Sequence, residues 1–86
     1  MYYVYLLENN IDKKWYIGFT SDLRKRLTEH NSGKGGKTTH AGKSWKLIYY
    51  ETYLNKQDAT GREIFLKSGS GHKYINKQLK HYLANK

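Results

Sequence analysis

The stretch YYVYLLENNIDKKWYIGFT, residues 2–20, decides the fold of this chain. Residues 2–7 and 15–19 are two runs of aromatic, β-branched and leucine side chains, which are typical of β-strands. The polar segment between the two runs contains Asn9-Asn10, and asparagine favours turns. Two strands joined by a short polar turn predict an antiparallel hairpin.

The rest of the chain predicts one more strand and three helices. Thr20-Ser21-Asp22 offers an N-terminal cap and an acidic first-turn residue, Asn55 is a typical cap, and Gly69 is a typical helix stop. The third strand carries apolar side chains on both faces, which favours a position in the middle of the sheet. The predicted elements, in chain order, are strands over 2–7 and 15–19, a helix over 21–31, a strand over 45–53, a helix from 55 to 69 and a helix over 72–84.

This order, β-β-α-β-α-α, predicts a small α+β fold in which three helices flank a three-stranded, mainly antiparallel sheet. A length of 86 residues favours a single domain over 1–86. Cysteine is absent from the sequence, which excludes disulfide bonds and thiolate metal sites. The sequence contains neither a run of about 18 apolar residues nor the basic start of a signal peptide, so we expect a cytoplasmic protein.

The chain is strongly basic. Sixteen Lys and Arg residues against seven Asp and Glu residues give a formal net charge of +9. Such a charge destabilises a compact chain by self-repulsion, which a polyanion would neutralise. Nucleic acid is therefore the expected partner, with solubility alone as the simpler explanation. Residues 32–44 hold three lysines, four glycines and no acid, and they predict a mobile basic loop.

Glu63 is the most informative of the seven acids. It follows Ala59 by one helical turn and precedes Leu66 by another, which places it on the helix face predicted to pack inward. A carboxylate is costly to bury unless a cation meets it. A divalent metal, an arginine and a neighbouring lysine are the open alternatives, and one carboxylate suffices for Mg²⁺ because this ion keeps several waters.

Four other side chains are suited to phosphate chemistry. Arg26 and His30 lie one turn apart on the first predicted helix, and a guanidinium can hold a phosphate through two hydrogen bonds. Tyr5 and Tyr16 are central residues of the two hairpin strands, so their phenols can lie close together. Phenols near an arginine could polarise a water, but a phenol needs a lowered pKa or a neighbouring base to take a proton. A solvated helix face and cross-strand packing are the alternatives.

These residues stand in a fixed order along the chain: Tyr3-Val4-Tyr5, a ten-residue gap, Tyr16-Ile17-Gly18, then Arg26, His30 and Glu63. The ordered set resembles the GIY-YIG endonuclease superfamily, and most closely its small stand-alone bacterial members. The resemblance covers nearly the whole chain. The sequence departs from the family pattern where Tyr3-Val4 replaces Gly-Ile, and at Phe19, where some relatives have lysine.

The resemblance implies a metal-dependent endonuclease that hydrolyses phosphodiester bonds in DNA with low sequence specificity, with a role in DNA repair or recombination. It implies that Tyr5 and Tyr16 position or deprotonate the attacking water. Arg26 is implied to stabilise the charge that grows in the transition state, with His30 assisting. Glu63 is implied to hold one divalent metal, Mg²⁺ or Mn²⁺.

The resemblance also implies a wider substrate surface. Gly18 is implied to let the backbone approach the site closely. Asn76, on the last predicted helix, best matches an asparagine that family members often use near the end of the domain. The basic residues expected to contact the nucleic acid are Lys34, Lys37 and Lys43 in the loop and Lys73 and Lys77 on the last helix.

Two other function classes stay open at this point. A non-catalytic nucleic-acid-binding module that keeps the fold would explain the charge and the acid-free segment 72–84. A basic adaptor for an acidic protein is the third class. We expect a monomer or weak homodimer that binds no membrane and finds its target through its own basic surface or a partner.

Overall fold

Three antiparallel strands form the sheet. The computed structural model describes residues 1–32 and 44–85. The hairpin predicted from the start of the sequence is confirmed, and the third strand pairs with its other side, in the order β2-β1-β3. The strands are β1, Tyr2–Asn9, β2, Trp15–Thr20, and β3, Trp45–Tyr53.

β1 is the central strand. The six residues from Val4 to Asn9 are all buried, because both faces of this strand are covered. β3 therefore lies at an edge of the sheet, and the prediction that it lies in the middle is wrong. Its apolar residues point both ways because helices cover both faces even at the edge: Leu47 packs on one face and Ile48 on the other.

Within residues 1–32 and 44–85, four helices surround the sheet. The second begins at its predicted cap, Asn55, whereas the first is capped by Asp22 and starts two residues later than predicted. The Asp22 side chain accepts a hydrogen bond from the backbone N–H of Lys25 at 3.1 Å. The Asn55 side chain accepts one from the N–H of Gln57 at 2.8 Å. Each cap satisfies a backbone N–H that has no partner inside its own helix. The helices are α1, Leu23–Asn31, α2, Lys56–Lys67, α3, Gly69–Gln78, and α4, Lys80–Ala84.

The prediction of one last helix over 72–84 is wrong in its start and its continuity. Gly69 begins α3 rather than ending α2, because the Ser68 hydroxyl accepts a hydrogen bond from the N–H of Gly71 and caps the new helix. A Cβ at Gly71 would overlap the backbone of the preceding helix, so glycine fits this sharp corner. The helix then breaks at Leu79, where ψ is 26° and the backbone leaves helical geometry.

The helices cover the two faces of the sheet separately. α1 packs over Tyr5, Leu7 and Trp45, and α2 with α3 packs on the opposite face. The predicted α+β class with an antiparallel sheet is confirmed. None of the helices within the described ranges is long and apolar enough to cross a membrane. The core on the α2 side consists of Val4, Leu6, Ile17, Ala59, Leu66 and Ile75.

Candidate active site

Tyr5 lies at the centre of the candidate site. It is only 2% exposed, although it ends in a polar hydroxyl. Its side chain extends across the sheet over Gly18, its partner on β2, and a Cβ at Gly18 would overlap the Tyr5 hydroxyl. Glycine is therefore needed at this position because it makes room for the phenol of the neighbouring strand.

Helix α1 brings two polar side chains to the Tyr5 hydroxyl. Arg26 and His30 lie four residues apart and therefore on one side of the helix. The Tyr5 oxygen Oη lies 2.9 Å from Nε2 of His30, which is fully buried. The Nε–H of Arg26 donates to the same Oη at 3.4 Å. A neutral phenol can accept from Arg26 while it donates to the imidazole.

Tyr16 completes this cluster. The centre of its ring lies 4.6 Å from that of His30 and 6.3 Å from that of Tyr5. Its side chain also shares a hydrogen bond with Arg26. Tyr16 is half-buried, so of the two phenols it is the one that reaches solvent. The fold thus brings together the four predicted catalytic residues that lie on β1, β2 and α1, with Gly18 beside them.

The surroundings shift the pKa values of these groups. Burial raises the pKa of Tyr5 to about 12, and the hydrogen bond from Arg26 opposes this only in part. Burial lowers the pKa of His30, and the nearby charge of Arg26 lowers it further. The hydrogen bond with Tyr5 raises the pKa of Arg26. The lowered phenol pKa expected for a tyrosine base is therefore not found at Tyr5, which keeps its proton beside a neutral imidazole and a charged guanidinium.

Arg26 also has a partner that the sequence analysis did not single out. Nη1 of Arg26 lies 3.1 Å from a carboxylate oxygen of Glu29, and about a third of each side chain is exposed. The spacing of three residues on one helix is the local signal that could have revealed this pair. Both residues line a groove of about 390 Å³. Its other walls are Phe19, Thr20, Ser21, Asp22 and Lys25.

Glu63 contacts a lysine and acts on the cluster through its charge. Its carboxylate forms an ion pair with Lys67, at 3.0 Å and one turn along α2. Of the alternatives left open by the sequence, pairing with a neighbouring lysine is therefore the one observed. The negative charge of Glu63 makes the smallest of the contributions that raise the pKa of Tyr5, and burial makes the largest.

The surroundings of Glu63 fit a cation that needs few protein ligands. The part of the chain that the structure describes holds no group of three or more His, Asp or Glu side chains that could enclose a metal. Mg²⁺ commonly binds through one or two carboxylates and takes its other ligands from water and substrate phosphates. The Lys67 ammonium is the positive charge that this carboxylate meets in the structure.

The remaining residues of the prediction lie on α3 or outside the described ranges. Asn76 is exposed and its amide donates to the carbonyl of His72, on its own helix, at 2.8 Å. It points outward because Ile75 beside it is buried in the core. Lys73 and Lys77 are exposed on the same helix. Lys34, Lys37 and Lys43 lie outside the described residues, with most of the predicted basic loop.

The comparison with known families accounts for this arrangement. Residues 1–78 match the family described as the GIY-YIG catalytic domain. The chain belongs to the GIY-YIG family. Its two motif tripeptides, residues 3–5 and 16–18, lie on the neighbouring strands β1 and β2, where Tyr5 of the first lies opposite Gly18 of the second.

The similar GIY-YIG proteins include several UPF0213 proteins. The one from Streptococcus pneumoniae is 48% identical over 65 residues, which are 76% of this chain and 65% of that protein. The one from Clostridium perfringens is 42% identical over 67 residues, 78% of this chain and 71% of that protein. The chain thus spans about two thirds of the length of these curated relatives. The solution NMR structure of a Bacillus halodurans UPF0213 protein matches with a TM-score of 0.55 and 32% identity, covering 91% of this chain and 85% of that one.

The departure from the GIY-YIG pattern at Phe19 shapes the wall of the groove. The Phe19 ring stacks on that of Tyr2, with the ring centres 5.9 Å apart and the planes at 11°. Phe19 also lines the groove that contains Arg26. An apolar ring therefore stands where a lysine would add a charge, so Lys25 and Arg26 supply the positive charge of this groove.

Proposed function

We propose that this chain is a metal-dependent endonuclease that hydrolyses phosphodiester bonds in DNA with low sequence specificity. The observation that carries the proposal is the convergence of Arg26, His30 and Tyr16 on the buried Tyr5 hydroxyl, in a chain that matches the GIY-YIG catalytic domain. One arginine, two phenols and an imidazole beside an open groove suit a reaction at a phosphate.

Arg26 binds the phosphate in this proposal. Its guanidinium stays charged at all relevant pH values, since the hydrogen bond with Tyr5 raises its pKa. Tyr5 holds it through Nε, and Nη1 is paired with Glu29, which lines the same groove as Arg26. The phosphate displaces Glu29 from Nη1, because both anions compete for that nitrogen. Arg26 then stabilises the negative charge that grows on the phosphate oxygens as water attacks.

The two tyrosines take different roles because their burial differs. Tyr5 keeps its proton and connects Arg26 to His30, so it orients both groups. Tyr16 reaches solvent and orients the attacking water. His30 is neutral near pH 7 and fully buried, and it assists by contacting the ring of Tyr16 and accepting the hydrogen bond of the Tyr5 hydroxyl, which holds both phenols in place. The proton that the attacking water loses passes to bulk water at the open groove.

Glu63 is the residue that would hold the metal. To hold an ion, its carboxylate would have to release Lys67, which is exposed enough to move away. A bound Mg²⁺ or Mn²⁺ would polarise a phosphate oxygen and stabilise the leaving oxygen. The basic residues of α3, Lys73 and Lys77, then have the role of contacting the DNA backbone.

The test is nicking of a supercoiled plasmid by the purified chain with Mg²⁺ or Mn²⁺. We expect Arg26→Ala to slow nicking by about 100-fold or more, because it removes the charge that stabilises the transition state. We expect Glu63→Ala to abolish the metal-dependent nicking, because it removes the carboxylate that would hold the ion. Arg24→Ala on α1 and Asp58→Ala on α2 are matched controls that change the same charges at exposed positions. Nicking that survives both test substitutions would show that the activity belongs to a contaminant.

A second function is favoured by the charge of the last two helices. Residues 69–84 contain Lys73, Lys77 and Lys80 and no acid, which suits a non-catalytic module that binds nucleic acid. Such a module would bind DNA with a steep dependence on salt, and Glu63→Ala would leave that binding unchanged. Binding of this kind without any nicking of plasmid, branched DNA or RNA would replace the first proposal by the second.

A further inference from the structure

Glu51 is a carboxylate that accepts four hydrogen bonds. The hydroxyls of Tyr49 and Tyr53, which flank it on β3, both donate to it. Arg62 of α2 donates through Nε at 2.9 Å and through Nη2 at 3.1 Å, one bond to each carboxylate oxygen. Burial alone would raise the pKa of Glu51, but these hydrogen bonds outweigh burial and lower it. The carboxylate is therefore ionised and held in one orientation.

Arg62 is held on its flat faces as well as at its edge. Its guanidinium lies over the ring of Tyr74 at 4.5 Å and over that of Phe65 at 5.0 Å. Two hydrogen bonds to one carboxylate and two aromatic contacts fix both the position and the plane of the group. A lysine could form neither the pair of parallel hydrogen bonds nor the stacking.

The Glu51–Arg62 pair connects the two halves of the candidate site. Glu51 lies opposite Val4 in the register of β3 with β1, and Val4 directly precedes Tyr5. Arg62 directly precedes Glu63 on α2. Neighbouring helical residues point about 100° apart around the axis, so fixing Arg62 also fixes the direction of Glu63.

The apolar contacts of α2 are less directional than a hydrogen-bonded fork. Ala59 and Leu66 pack into the apolar core, and such packing has little directionality. The ion pair of Glu63 with Lys67 lies within the helix, so it cannot orient the helix against the sheet. A forked arginine–carboxylate pair between α2 and β3 supplies the directional restraint.

We propose that Glu51 and Arg62 are positioning residues that set where the Glu63 carboxylate lies relative to Tyr5 and Arg26. The use of this position for metal binding rests on the function proposed above. The orientation itself does not, so the two can be tested separately.

The orientation is measured at position 63 itself. The chain has no cysteine, so the thiol of a Glu63→Cys variant can carry the only trifluoromethyl tag, read by ¹⁹F NMR. We expect one signal in the otherwise unchanged chain and a shifted or split signal when Glu51→Gln or Arg62→Lys is added. Tyr53→Phe is the matched control: it removes one hydrogen bond to Glu51 and leaves the fork with Arg62 intact, so the signal should stay in place.

Metal binding is measured on chains that keep Glu63, with Mn²⁺ alone as the probe. We expect Glu51→Gln and Arg62→Lys to raise the dissociation constant for Mn²⁺ by about tenfold, as for other residues that orient a metal ligand. Tyr53→Phe should leave it unchanged. Combining the two test substitutions should cost little more than either one, because both break the same fork.

The outcomes separate the two proposals. An unchanged ¹⁹F signal in folded Glu51→Gln and Arg62→Lys chains overturns the positioning role, as does an equal response in Tyr53→Phe. The ¹⁹F signal could shift or split with Glu51→Gln and Arg62→Lys while the chain that keeps Glu63 binds no Mn²⁺. This result would support the positioning role and remove the metal from the proposed function. If Glu51→Gln and Arg62→Lys change the ¹⁹F signal and also weaken Mn²⁺ binding, the positioning role and the metal site are both supported.

Discussion

The hydroxyl oxygen of Tyr5 lies 2.9 Å from Nε2 of His30, and both residues are buried. One belongs to the central strand and the other to the last turn of α1, so this contact holds the helix against the sheet. The same contact lies at the centre of the candidate active site. Stability and chemistry therefore depend on the same two side chains, and substitutions there should affect both.

Tyr5→Phe tests this double role. The substitution removes the hydrogen bonds of the hydroxyl with His30 and Arg26 while the ring still fills the core. We expect the free energy of unfolding to fall by about 1–3 kcal/mol and plasmid nicking to slow. Urea denaturation measures the first effect. Tyr3→Phe on the same strand is the control, and equal stability of the two variants would contradict a structural role for the Tyr5 hydroxyl.

The pH dependence of stability should carry the signature of His30. Its pKa is lower in the folded chain than the ordinary value of 6.5, so below this value the unfolded chain binds the proton more readily. The contribution of His30 to the free energy of unfolding is therefore fully present above about pH 6.5. It is lost as the pH falls toward the lowered pKa, with a slope of at most about 1.4 kcal/mol per pH unit. Urea midpoints between pH 5 and 8 measure it. His30→Gln should flatten the slope, whereas the exposed-helix variant His81→Gln should keep it.

Gly18 and Gly61 offer a test of why glycine is needed at one position and not at another. A Cβ at Gly18 would overlap the Tyr5 hydroxyl, whereas a Cβ at Gly61, in the middle of α2, would meet no atom within 4 Å. We expect Gly18→Ala to destabilise the chain by about 1–3 kcal/mol and to slow nicking. Gly61→Ala should stabilise it by about 0.5–1 kcal/mol, because alanine favours the helix. Thermal unfolding of the two variants checks the opposite signs, and stabilisation by both would mean that Tyr5 can move aside.

The parts of the fold that could be predicted are those specified by neighbouring residues. The hairpin follows from two strand-like runs around a polar turn, and the caps Asp22 and Asn55 act within three residues. The edge position of β3 could not be predicted, since a strand covered on both faces has the same apolar pattern at the edge as in the middle. The split of the last helix depends on Ser68, whose capping role competes with that of the glycines beside it.

The candidate site shows the same division. The meeting of Tyr5, Tyr16 and Arg26 was predicted from the family resemblance that their order along the chain carries. The raised pKa of Tyr5 was not predictable, because it depends on how deeply α1 buries the phenol. The Glu51–Arg62 pair joins β3 to α2, and its detection requires knowing which faces of these elements meet.

Glu29 should weaken the binding of phosphate by Arg26, because its carboxylate occupies Nη1 in the free protein. Glu29→Gln keeps the shape of the side chain and removes the competing charge. We expect an oligonucleotide with a non-hydrolysable backbone to bind up to about fivefold more tightly, since a partly exposed ion pair contributes at most about 1 kcal/mol. Stability should change by less than about 1 kcal/mol for the same reason.

The control for Glu29→Gln must separate the local contact from the net charge. Asp58→Asn on α2 adds the same unit of positive charge at an exposed position. Long-range attraction would tighten binding equally in both variants, and the gain would fade together as salt rises. A gain confined to Glu29→Gln, measured by fluorescence anisotropy at several salt concentrations, would assign the effect to Arg26. Equal gains would mean that the phosphate binds without displacing Glu29, and Arg26 would then reach it through its other nitrogens.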